Sequence, residues 1–140
     1  MTTSEFVVLL VVGFVVFFVA LWCFVLWVIS LASGWRRLAE RFGRAVWFTG
    51  EVTTFASARV GLANYNGALI VGASREGLYL VPIRIFRPFH SPLHIPWTDT
   101  VAQVRGSEAF PRVQFTFPSA PGKRILLYGR SAKQCLPYLQ

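Results

Sequence analysis

From Phe6 to Ala32 the chain runs for 27 residues without a charge, and nothing else in the sequence restricts its fold as much. As an α-helix rising about 1.5 Å per residue, the run reaches roughly 40 Å, beyond the ~30 Å hydrocarbon core of a bilayer. Residues 6–32 are therefore expected to form a transmembrane helix, tilted or with its ends among the headgroups. A buried helix of a soluble protein is excluded on size, because too little chain remains to wrap it. Ser30-Leu31-Ala32 imitates a small-x-small cleavage site. However, Met1–Glu5 carries no Lys or Arg, and the apolar run exceeds the roughly 7–15 residues of a signal-peptide core. A retained anchor is expected.

The flanks give the orientation. Arg36, Arg37, Arg41 and Arg44 follow the run, whereas the short side before it offers only Glu5. Arginine is retained on the cytoplasmic side, which leaves residues 1–5 outside and everything after residue 32 in the cytoplasm. Cys23 and Cys135 are too few for a disulfide scaffold and fit a reducing compartment. Residues 34–44 (GWRRLAERFGR) put Trp35, Leu38 and Phe42 on one helical face, with arginines around the rest. Segment 33–45 is thus expected to be an amphipathic helix in the membrane interface, with Trp35, Arg36, Arg37, Arg41, Phe42 and Arg44 touching lipid or headgroups.

Within the anchor, Phe6, Leu10, Gly13, Phe17, Ala20, Phe24, Trp27 and Leu31 recur at spacings of four and three. They share one face, on which two small residues sit among bulky ones and permit close helix approach in lipid. Trp22 lies near the middle of the run, away from the interfacial belts that Trp favours. Both features suggest docking to another membrane helix, or to a neighbouring lipid, pigment or quinone.

After residue 46 the period turns strand-like. Val113, Phe115 and Phe117 alternate with Arg112, Gln114 and Thr116, the pattern of a half-buried strand. Residues 118–123 (PSAPGK) make a turn, and 124–128 (RILLY) return. Residues 68–73 and 77–85 flank Ser74-Arg75-Glu76 as a hairpin, with 51–60, 93–97 and 100–104 supplying further strands. Pro82, Pro88, Pro92 and Pro96 exclude a helix between them. Residues 131–139 suit a short closing helix. Residues 46–140 thus read as a domain of six or seven antiparallel strands followed by one helix.

The stretch GLYLVPIRIFRPFHSPLHIPWTDTVAQV resembles a pattern in small bacterial proteins of unassigned function, some of them membrane-anchored. The order of elements is similar to the pleckstrin-homology and GRAM-like fold, a bent β-barrel capped by a C-terminal helix. Ile95-Pro96-Trp97-Thr98-Asp99 would match the strand that commonly reads Ile-x-Trp-x-Asp. The resemblance implies a binding or scaffolding module in the bacterial cytoplasmic (inner) membrane and not an enzyme.

The search for chemistry is sparse. Asp99 is the only aspartate, and Ser91, His90 and Asp99 lack the sequence context of a nucleophile elbow. His90 and His94 are four apart, yet the prolines around them prevent the helix that would aim both at one metal. No phosphate loop or dinucleotide fingerprint is present. No cofactor is expected. The net charge of +8 comes without a nucleic-acid-binding motif, so nucleic acid is not an expected partner. Arg84, Arg87, His90 and His94, joined by Lys123 and Arg124, form a candidate anionic-lipid patch beside Phe86 and Phe89. Two functions follow as expectations. One is a non-catalytic accessory subunit of a respiratory or photosynthetic membrane complex, and the other a membrane-tethered module that binds anionic phospholipid headgroups.

Overall fold

The computed structural model describes residues 2–43, 48 and 50–139. Helix α1 spans Thr3–Ser33. Thr2 and Glu5 form a capping box at its start, each accepting the other's backbone N–H. Gly34 ends it at φ 76°, the left-handed conformation a helix C-terminus favours. A second helix, α2, follows at once over Trp35–Phe42. By length and composition α1 can cross a membrane.

Seven strands come next: β1 (Val52–Val60), β2 (Ala63–Ala73), β3 (Gly77–Pro82), β4 (Leu93–Pro96), β5 (Val101–Gly106), β6 (Pro111–Thr116) and β7 (Arg124–Tyr128). All neighbours are antiparallel in one curled sheet of order β4-β3-β2-β1-β7-β6-β5. Helix α3 (Gly129–Cys135) packs against β1, β2, β6 and β7. Anchor helix, antiparallel half-barrel and short final helix match the fold class expected from the sequence. Register is set by burial: Val113 and Phe115 of β6, with Ile125 and Leu127 of β7, point into the core, while Arg112 faces out.

Two strand boundaries differ from the sequence reading by three residues or more. Strand β2 begins at Ala63 because Gly67, at φ 64°, lets the strand continue through a kink that reads as a turn. Strand β3 stops at Pro82, and Arg84–Phe86 form a 3-10 turn. Pro82 has no N–H to extend the ladder, and its carbonyl accepts from the Arg87 guanidinium at 3.2 Å.

The larger correction concerns α2. Trp35, Leu38 and Phe42 are not in the lipid boundary: all three are buried in the β-domain core. The apolar stripe of a short helix seeks any dry surface, and the open β4 side of the half-barrel supplies one. There α2 contacts β4, Gly43 bridges Leu93, and the Phe42 ring lies 5.5 Å from that of Phe117. The structural domain therefore includes α2. Arg44 and the expected domain start at residue 46 lie outside the described residues.

Candidate functional site

Helix α1 changes character along its length. From Thr3 to Leu21 every side chain is exposed, so about 28 Å of the helix stands clear of the domain on every side. From Trp22 onward one face is covered: Leu26, Ser30 and Ser33 are buried, and Ile29 packs against the domain core. Trp22 Nε1 donates to the Ile85 carbonyl at 2.8 Å, and its ring lies 5.2 Å from that of Phe86. The residue that looked misplaced in the sequence thus docks on the chain's own β3–β4 connection.

A buried polar network completes the joint between anchor and domain. Tyr65 of β2 places its hydroxyl 3.0 Å from Ser33 Oγ and 2.9 Å from His90 Nε2. His90 Nδ1 lies 2.8 Å from the Pro88 carbonyl, which can only accept. Nδ1 therefore carries the proton of the neutral ring, and the single Tyr65 hydroxyl proton is shared between the two acceptors it faces, Ser33 Oγ and His90 Nε2. Ser33 Oγ also accepts the Trp35 amide, and Trp35 Nε1 donates to Ser91 O at 2.8 Å. The Trp35 ring packs against both Tyr65 and His90. Burial pushes the Tyr65 phenol up to about 12, the Ser33 hydrogen bond opposing it weakly. Burial also lowers the His90 pKa below its ordinary value, against the Pro88 hydrogen bond. Both groups are held neutral by the dry joint.

This geometry breaks up the expected lipid patch. Arg84 and Arg87 are exposed, but His90 is only 2% exposed and committed to the joint. His94 is half-buried on β4, opposite Tyr79. Lys123 and Arg124 line a different hollow, beside Ala32 and Ser33. Asp99 bonds Ser119 and sits 3.9 Å from Arg41, away from any pairing with His90. Among the described residues no cluster of three His, Cys, Asp or Glu could hold a metal. Cys135 is buried, its thiol pushed up to about 12 by desolvation.

Of the expected interface set, Arg36, Arg37 and Arg41 are exposed, while Trp35 and Phe42 are interior. The eight stripe residues, Phe6, Leu10, Gly13, Phe17, Ala20, Phe24, Trp27 and Leu31, all remain exposed. At about 100° per residue, their mean direction lies roughly 160° from that of Trp22, Leu26, Ile29, Ser30 and Ser33. The stripe and the domain occupy opposite sides of α1.

Tyr65 and Ser33 are functional neighbours that sequence reasoning missed. Ser33 sits among residues of ordinary helix-end composition, and Tyr65 lies in a polar stretch resembling a loop. Among known proteins, the chain matches no family model, no curated sequence and no solved structure.

Proposed function

We propose that this chain is a non-catalytic, single-pass accessory subunit of a larger membrane assembly. Its N-terminus lies outside, and its β-domain stands on the cytoplasmic surface. One observation carries this reading: the small-and-aromatic stripe points away from the chain's own domain, so a neighbouring helix can pack on it without steric conflict. In lipid, such packing depends on close approach rather than on expulsion of water. The arginines of α2 support the orientation. The test is purification of the full chain in a mild neutral detergent. Comigration with other membrane subunits in fixed ratio, lost in Gly13→Leu/Ala20→Leu, supports the proposal; migration of the chain alone refutes it.

A second reading, a tethered module that contacts anionic headgroups, is favoured by the Trp22 clamp. It brings Ile85 and Phe89, 61% and 55% exposed, alongside the anchor together with Arg84 and Arg87. Apolar and cationic groups interleaved at that level suit the boundary between acyl chains and phosphates. In bilayers containing anionic lipid, Arg84→Gln/Arg87→Gln should loosen the β3–β4 connection. Unchanged mobility of that connection counts against this reading.

A further inference from the structure

We propose that the hollow where α1 meets the β1–β2 and β6–β7 turns binds a phosphate-bearing anion, held by Arg59, Lys123 and Arg124. The hollow has a volume of about 500 Å³, and its lining includes these three cations and no carboxylate. Among the described residues the one ion pair is Arg41–Asp99, so none of the three is neutralised by a carboxylate. Two adjoining hollows of about 360 Å³ share Lys123, one with Arg36 and Arg37, the other with Arg37 and Arg41. Glu40 is the sole acid in either. Lys123 therefore stands at the centre of a basic groove that the joining of anchor and domain creates.

The walls of this hollow are built, not incidental. Gly61, at φ 56°, brings the β1–β2 turn so close to the Ser33 carbonyl that any Cβ would collide with it. Lys123 lies across bare Gly34, where an added Cβ would sit 2.8 Å from Nζ. Arginine beside an uncompensated lysine is suited to phosphate, since its planar fork bonds two oxygens at once.

The height of the hollow points to a lipid headgroup as the source. The outer face of α1 stays apolar and exposed through Leu31, which requires a tilted helix for the whole face to remain in lipid. Ala32 and Ser33, the first wall of the hollow, come next. Tilt toward its outer side keeps that face in lipid while lifting the domain side, so the three cations fall within the headgroup layer, which extends about 5–7 Å beyond the hydrocarbon. Leu62, 79% exposed at the mouth, gives the glycerol or upper acyl segment an apolar contact. This inference rests on the second reading above, with the domain lying at the bilayer surface.

The test uses the full chain in neutral detergent, titrated with short-chain phosphatidic acid and, separately, with inorganic phosphate, while backbone amide shifts are followed by NMR. Shifts should centre on Gly61, Leu62 and Lys123. Arg59→Gln/Arg124→Gln should weaken binding about tenfold or more, as expected for the loss of charge-assisted hydrogen bonds. Arg75→Gln, on the exposed β2–β3 turn, should retain it. Tighter binding of the lipid identifies a headgroup, and equal competition by phosphate identifies a soluble phosphate compound; both support the site. Without shifts there, or with wild-type binding in the double variant, the cations merely offset the C-terminal dipole of α1 and the proposal fails. Alkaline extraction of native membranes reports independently on whether the chain is embedded.

Discussion

The indole N–H of Trp22 and the carbonyl oxygen of Ile85 are 2.8 Å apart although 63 positions separate them in the chain. That hydrogen bond, with the Trp22–Phe86 ring contact, makes anchor and domain one body rather than two on a tether. For a helix that can cross a bilayer the consequence is orientational: whatever tilt the helix takes, the domain takes too.

Replacing Trp22 by Phe keeps the apolar contact and removes the donor, at a cost on the order of 1 kcal/mol. Amide exchange should accelerate in residues 83–89 and stay unchanged in β6 and β7. Uniform protection throughout would show that the clamp contributes nothing.

Helix α2 should behave as part of the core. Trp35 is fully buried, so Trp35→Ala should lower domain stability by about 3–5 kcal/mol, whereas Arg36→Ala, on the exposed side, should stay within about 0.5 kcal/mol. A fragment beginning at residue 34 should unfold cooperatively in urea, while one beginning at 45 should lack a cooperative transition. A stable 45–140 fragment would contradict the burial described here.

Acid should weaken the joint. His90 is neutral in the fold, with its pKa lowered by burial. The unfolded chain takes up the proton first, at about 6.5. Stability is therefore full above that pH and declines as pH falls toward the lower native value. His90→Gln should flatten this part of the thermal-midpoint profile. If the slope persists in the variant, another group is responsible.

Tyr65→Phe removes the hydroxyl that both Ser33 Oγ and His90 Nε2 face. A loss of about 1–3 kcal/mol follows from stranding buried polar groups. In the doubly substituted Tyr65→Phe/His90→Leu chain, much of that loss should disappear, because neither polar partner then remains. Additive losses would mean the two side chains act independently.

Much of this architecture was readable because it follows from local pattern. The charge-free run gave the helix, and the alternation from Arg112 to Phe117 gave β6. The Ser74–Glu76 turn gave the β2–β3 hairpin. Where reading failed, a long-range choice of partner decided the outcome. Trp35, Leu38 and Phe42 announce an apolar face, but the spacing is the same whether lipid or a half-open barrel covers it. Trp22 was conspicuous in mid-run, yet its partner lies 63 residues away. His90 was grouped with cations by proximity in sequence, and only the fold turns it inward onto Tyr65.

The central claim is that residues 3–21 lie in lipid and that the domain rests on the bilayer beside them. Nitroxide labels on Phe17→Cys, Ile85→Cys and Glu76→Cys in a Cys23→Ser chain, reconstituted in bilayers, measure this through oxygen and nickel-chelate collision rates. Cys135 is buried and stays unlabelled. Glu76 marks the far end of β3, about 20 Å from Ile83. The expected result is deep immersion at position 17, interfacial depth at 85 and full water exposure at 76. Equal water exposure at 85 and 76 would contradict the account.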